Sequence, residues 1–197
     1  MPEDFIKAAN SAANPAAALA ETRALDPADS LKALADDMRD LERRTAEAAD
    51  AEALLGPSRD IAACAAALRR LGMNVRFISR FVATANRRLF SRLFTLTAPP
   101  GWEADACLIV MGSEGRGEQI LKTDQDNGVI FRDGVATANW SVALLDFNRR
   151  LGALGYPPCP GGVMAANGEW AQPQAAFRRS LSLWLRAPDE AAALRLA

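Results

Sequence analysis

Apolar positions in the first half of this chain recur at helical spacing; in the second half they gather into short runs between glycines and prolines. Residues 1–25 are Ala-rich around Pro15 and read as one helix or two short ones. Asp26-Pro27 then has the form of a cap followed by proline at the first helical position. Leu31, Leu34, Met38 and Leu41 continue at helical spacing, with Asp36, Asp37, Arg39, Asp40, Glu42, Arg43 and Arg44 on the wet face. Gly56-Pro57 is expected to end that helix and Ser58 to cap the next. The second helix has a stripe of Ile61, Ala65, Leu68 and Leu71 and a stop at Gly72. A third stripe, Val75, Ile78, Val82, Leu89 and Leu93, runs to the break at Pro99-Pro100-Gly101. These stripes read as packing faces between helices, with a partner-binding face for one of them as the alternative.

Beyond the break the period changes. Ala106–Met111 and Asn127–Arg132 are strand-like, with a short helix expected over Gly115–Lys122 between them. Residues Ala138–Leu154 read as a helix with Val142, Leu145 and Leu151 together on one side, ended by Gly155. Tyr156-Pro157-Pro158-Cys159-Pro160-Gly161-Gly162 is too rigid and Gly-rich for regular structure. A short strand is expected at Val163–Ala165 and a helix at Gln174–Arg186 carrying Phe177, Leu181 and Trp184. Pro188 leads into a last short helix. The fold class expected is α+β: a helical region over residues 1–98, then an α/β unit with a small mixed sheet over residues 99–197.

Half of the 197 residues are apolar, enough for a sizeable core. The net charge of −1 gives no electrostatic case for nucleic acid. The chain has no histidine, which removes Ser-His-Asp and Cys-His nucleophiles, His-ligated zinc and a histidine base. Its three cysteines, Cys64, Cys107 and Cys159, form no CxxC pair, which argues against a disulfide framework and suits a reducing cytoplasm. Cys64 and Cys107 sit in apolar or small-residue runs and read as core; Cys159, between prolines, has no assigned role. No apolar run approaches membrane-spanning length, and MPEDFIKAAN lacks the apolar core of a signal peptide.

The chemistry concentrates in Cys107 to Phe131, CLIVMGSEGRGEQILKTDQDNGVIF. Gly112 lets a backbone approach phosphate oxygens, and Ser113 with successive N–H groups can form an anion-binding concavity. Asp124 and Asp126 are two apart; on an extended segment they share a face and can converge on one hard cation. Arg116 and Lys122 could neutralise a triphosphate or simply occupy a solvated turn. The candidate catalytic and metal-binding residues are therefore Asp124 and Asp126. The candidate nucleotide contacts are Gly112, Ser113, Arg116 and Lys122, and the cofactor expected is Mg2+ or Mn2+.

The order strand, Gly-Ser, ten residues, Asp-x-Asp resembles the signature of the polymerase-β-type nucleotidyltransferase superfamily. The fuller string GSEGRGEQILKTDQDN resembles bacterial nucleotidyltransferases related to the N-terminal part of protein-PII uridylyltransferase, often found beside CBS and cyclic-nucleotide-binding domains. LGYPPCPGGVMAANGEW, Leu154 to Trp170, resembles the segment that follows in that family, so the likeness covers roughly residues 60–190. It implies metal-dependent transfer of a nucleotidyl group from a nucleoside triphosphate to a hydroxyl, on a protein acceptor in signal transduction. Two other functions stay open: a nucleotide-sensing module without turnover, and a helical interaction protein with a vestigial site.

The resemblance also implies a third carboxylate, in an apolar strand soon after the Trp-containing helix. Asp146, Glu169, Asp189 and Glu190 are available acids, but none lies in such a run. The chain stops at Arg195-Leu196-Ala197, where that strand would begin. A site incomplete at its C-terminal side, weak turnover and self-association through an unpaired sheet edge are the expectations.

Overall fold

The computed structural model describes residues 27–138 and 140–186, and helices begin and end there where local chemistry allows. Helix α1, Pro27–Glu47, carries Asp29 in its first turn and Arg44 in its last, both favourable to the helix dipole. Its wet face is laced by ion pairs of Arg39 with Asp36, Arg43 with Asp40 and Glu47, and Arg44 with Asp40. Helix α2 spans Leu55–Arg70 and α3 spans Val75–Thr97. Asn74 caps α3 by accepting the Phe77 N–H at 2.9 Å.

Gly72 stops α2 as expected, and the mechanism is explicit. Its φ is +75°; the Gly72 N–H bonds Arg69 O and the Met73 N–H bonds Leu68 O, each at 3.0 Å. That is the Schellman arrangement, which needs a left-handed residue. The expected boundary at Gly56-Pro57 is corrected. The helix before it has already ended at Glu47, and Gly56-Pro57 lies inside the first turn of α2. Proline is tolerated there because a first-turn N–H has no intrahelical acceptor. Ser58 is accordingly a buried helical residue, not a cap.

The chain divides into two compact units. Of the described residues, the first contains 27–96 together with Gly117–Lys122 and Ala153–Gly155. Its buried side chains include Leu34, Leu41, Ile61, Leu68, Ile78, Val82, Leu89, Leu93 and Phe94. Leu31, Leu71 and Val75, expected on the inner stripes, are exposed. Arg44 bridges α1 to Asp60 of α2 at 2.6 Å, and Arg92 of α3 gives two N–H groups to the Ala48 carbonyl at 2.9 and 2.6 Å. The two later segments are tied in by polar bonds. Asn86 donates to Gln119 at 3.2 Å, both side chains buried; the Lys122 ammonium donates to Ser58 Oγ at 2.6 Å and Leu154 O at 2.7 Å.

The second unit is built on a three-stranded mixed sheet. Strands β1, Ala106–Val110, and β2, Asn127–Phe131, are antiparallel, with Val110 opposite Asn127 and Ala106 opposite Phe131. Strand β3, Ala171–Pro173, runs parallel to β2, with Val129 opposite Ala171. Between β1 and β2 lies a single helical turn, α4, at Gly112–Gly115. The helices flanking β3 in sequence are α5, Trp140–Ala153, and α6, Gln174–Arg186.

Alternation along β2 separates two packing faces. Phe131 meets Trp140 of α5 edge-to-face at 5.1 Å. Ile130, with Ile109, Met111, Val163 and Leu181, packs on the cluster of Trp170, Phe177 and Trp184. The chain is thus α+β with a small mixed sheet.

Three local expectations are corrected here. The turn after β1 is helical at Gly112–Gly115 rather than Gly115–Lys122, because Gly117, at φ +68°, turns the chain left-handed. The third strand is Ala171–Pro173 rather than Val163–Ala165. On α5 the inner stripe is Trp140, Leu144, Phe147 and Leu151, leaving Val142 and Leu145 exposed; the aromatic pair buries more surface and sets the rotation. Among the described residues no helix is long and apolar enough to cross a membrane. The helices expected in residues 1–25 and after Pro188 lie outside the described residues.

Candidate metal and nucleotide site

The site grows from the end of β1. The ladder to β2 continues one residue past the strands, with the Met111 N–H bonded to Asp126 O at 2.9 Å. The next residue, Gly112, has φ +59°, and a Cβ placed on it would lie 2.3 Å from Asp126 Oδ2. Glycine here serves two needs at once: a left-handed backbone, and room for a carboxylate directly against the main chain. Gly115 closes the same turn, since a Cβ on it would lie 2.6 Å from the Val110 carbonyl oxygen.

The segment Asp124-Gln125-Asp126-Asn127 has a two-sided logic. The acids are half-buried and the amides that alternate with them are buried. This is the period-two alternation of an extended chain. Gln125 Nε2 donates to Asn148 O at 3.1 Å and Tyr156 O at 3.0 Å. Asn148, on α5, donates from Nδ2 to Gln125 Oε1 at 2.6 Å and to Asn127 Oδ1 at 2.8 Å. Asn127 Oδ1 also accepts the Ala165 N–H at 2.9 Å, and Asn148 Oδ1 accepts the Ala166 N–H at 2.7 Å. Satisfied buried amides of this kind specify geometry, because each broken bond strands a polar group away from water.

That network lays the Pro/Gly-rich loop alongside the acids. The Gln125 N–H bonds Pro157 O at 2.9 Å and the Asn127 N–H bonds Val163 O at 3.0 Å. Cys159 lies between these anchors. Its sulfur and one carboxylate oxygen from each of Asp124 and Asp126 all lie within 4.8 Å of one another. The thiol shares a hydrogen bond with Asp126.

Electrostatics follow from this crowding. Burial lifts the Asp126 carboxyl above the usual carboxylate range and the Asp124 charge adds to the lift; the Cys159 hydrogen bond and the Arg116 charge oppose it. Burial also raises the Cys159 thiol. The N–H groups of Val163 and Gly161 counter this, whereas Asp126 reinforces it through both its hydrogen bond and its charge. Three groups that would each carry negative charge thus sit together, and a divalent cation suits that donor set.

Of the other residues singled out in the sequence, Ser113 is half-buried in α4. Arg116 is exposed just after that turn, where its charge reaches Asp126. Lys122 belongs to the first unit, with its ammonium bound to Ser58 and Leu154. Burial lowers its pKa to about 8, with the nearby Arg59 charge adding to the effect. Asp146 is paired on α5 with Arg149 at 2.5 Å and Arg150 at 2.6 Å, and Glu169 lies in the turn Gly168–Trp170. Asp189 and Glu190 lie outside the described residues.

Sequence reasoning passed over Gln125, Asn127 and Asn148, and left Cys159 without a role. A signal for the first two was present in the alternation of acid and amide. Glu114, buried within α4, was also missed; its charge joins burial in raising the pKa of Tyr156.

No curated protein and no solved structure matches the chain. A family model does, over residues 59–191, which takes in most of α2 and all of α3 as well as the sheet, the Gly112 turn, the two acids and the Cys159 loop. By that match over the greater part of its length, the chain belongs to the family described as Putative nucleotidyltransferase DUF294.

Proposed function

We propose that Asp124 and Asp126 hold a Mg2+ or Mn2+ ion that binds a nucleoside triphosphate, for transfer of a nucleotidyl group to a hydroxyl on a protein acceptor. The observation that carries this reading is the convergence of both carboxylates beside the Gly112 turn, where the space a Cβ would fill is taken by Asp126. The family to which the chain belongs agrees with it. The bound cation would neutralise phosphate charge and polarise a phosphoryl oxygen. The chain's own groups have separable tasks. Asp124 and Asp126 are the cation's ligands, Gly112 leaves room for close approach, and Ser113 with the α4 backbone offers donors. Arg116 and Lys122 are the proposed cationic contacts; the Lys122 ammonium is bonded to Ser58 and Leu154 within its own unit.

A second reading is favoured by one observation. Among the described residues, the group beside the two aspartates contributes sulfur, not a third carboxylate. Fixing two metals for in-line transfer asks for more acid than that. Loss of general-base assistance typically costs about 10²–10⁴ in rate. The chain alone would then bind nucleotide and turn it over slowly, or sense it without turnover.

Calorimetry with ATP and UTP, with and without Mg2+ or Mn2+, tests the shared part. Binding should need the metal and vanish in Asp126→Ala; affinity unchanged by a chelator would overturn it. Labelled nucleotide with candidate acceptors then separates transferase from sensor.

A further inference from the structure

We propose that Cys159 is the third protein ligand of this centre, making it a carboxylate–thiolate site that takes zinc or cobalt(II) more tightly than Mg2+. The inference rests on the metal-site reading above and goes beyond it in naming the donor set and the class of metal.

Three observations carry it. The first is reach: the Cys159 sulfur lies within 4.8 Å of ligand oxygens from both aspartates, so one ion can touch all three. The second is how the sulfur is presented. Cys159 is half-buried beside the acids, and the loop turns closely around its sulfur: a Cβ on Gly161 would lie 3.7 Å from it.

The third is preorganisation. Pro158 and Pro160 flank Cys159, and the Gly162 N–H bonds the Cys159 carbonyl at 3.0 Å. The Gln125 backbone holds Pro157 at 2.9 Å from a position between the two acids. The loop is therefore fixed to the strand that carries the carboxylates, and little ordering is left for the ion to impose.

The metal class follows from the ligand chemistry. Mg2+ demands oxygen ligands in near-ideal octahedral geometry and holds its waters, so sulfur adds little to its binding. Zinc and cobalt(II) accept thiolate and carboxylate together, and the thiol gives its proton to solvent when it binds. A purely structural cysteine that donates to Asp126 predicts the opposite: no sulfur–metal bond, and equal loss for every metal on replacement.

The test uses the full chain. Cobalt(II) titration should produce a near-ultraviolet thiolate-to-metal charge-transfer band. The band should persist in Cys107→Ser and disappear in Cys159→Ser and Cys159→Ala. Removing groups that merely support a ligand usually lowers affinity about 10–100-fold, so losing the sulfur should weaken zinc at least tenfold while leaving Mg2+ within about twofold. Circular dichroism checks that each variant is folded. Cobalt bound without the band, or zinc and Mg2+ weakened alike in folded Cys159→Ser, overturns the inference and leaves the two-aspartate site standing. No binding of any of these metals by the wild-type chain overturns both.

Discussion

Asn148 is the point at which α5 is bolted to the acid-bearing segment, and Asn148→Ala puts a number on that role. Its side chain makes three bonds: to Gln125 Oε1 at 2.6 Å, to Asn127 Oδ1 at 2.8 Å, and from the Ala166 N–H at 2.7 Å. The losses differ in kind. Gln125 Oε1 keeps a weaker donor in Asn127 Nδ2 at 3.4 Å, and Asn127 Oδ1 keeps the Ala165 N–H at 2.9 Å. The Ala166 N–H loses the acceptor described here. An oxygen that retains one donor loses about 0.5–1.5 kcal/mol, and a stranded N–H costs about 1–3 kcal/mol. The expected destabilisation is about 4 kcal/mol, a large fraction of the roughly 5–15 kcal/mol that holds a typical domain together. Urea unfolding followed by the fluorescence of buried Trp140, Trp170 and Trp184 reads it directly. With a slope of about 2 kcal/mol per molar urea, the midpoint should fall by about 2 M. Asn148→Asp separates bonding from shape. It keeps the acceptor for Ala166 but turns a carboxylate toward two amide oxygens, so it should be at least as damaging at neutral pH and recover partly when protonated. A loss under about 1 kcal/mol in Asn148→Ala would refute the reasoning, and with it the claim that the amide network sets the position of the Cys159 loop.

Other outcomes follow from the same geometry. Gly112→Ala should lower Mn2+ affinity at least tenfold by calorimetry, because its Cβ would displace Asp126 Oδ2 from 2.3 Å; a left-handed alanine costs only about 1–2 kcal/mol in stability. Gly128→Ala should act the other way round, on the fold: its Cβ would meet the Trp170 carbonyl oxygen, backbone that cannot swing aside, at 2.7 Å, and a thermal melt should show a loss of about 1–3 kcal/mol. Cys107, expected in the core, is instead exposed on β1, so under a thiol reagent at pH 8 it should react at once, whereas buried Cys64, its thiol pushed up to about 11 mainly by desolvation, should wait for unfolding; equal rates would contradict the burial. Lys122, lowered by burial from 10.5 to about 8, carries a charge penalty that is full below pH 8 and relieved as pH rises toward 10.5, so its own contribution makes stability increase across that window by up to about 3 kcal/mol. The difference in unfolding free energy between wild type and Lys122→Met, followed from pH 7 to 10.5, should show that slope; a flat difference would count against the buried ammonium.

Local order in the chain determined a good deal about this protein. Helices over Val75–Thr97 and Gln174–Arg186, the two strands around the Gly-Ser turn, and the stop at Gly72 all follow from periods and punctuation within a few residues. The meeting of Asp124 with Asp126 is of the same kind, because i and i+2 share a face on any extended segment. What could not be read there depends on partners far along the chain. Which stripe of α5 turns inward was settled by Phe131 receiving Trp140, so Val142 and Leu145 face water despite their apolar character. Val163–Ala165 and Ala171–Pro173 are both short segments with a claim to β2; the parallel register against Val129 and Phe131 went to the second. Gln125 and Asn127 look like polar filler until Asn148, more than 20 residues later, satisfies them. Cys159 belongs to no metal-ligand spacing with the other cysteines, and its place beside the acids exists because main-chain bonds from Gln125 and Asn127 fix a proline-rich loop. Periodicity and turn chemistry act over neighbours and are written in neighbours. Burial, register and the convergence of ligands are properties of surfaces brought together by folding, and they were decided when the tertiary structure formed.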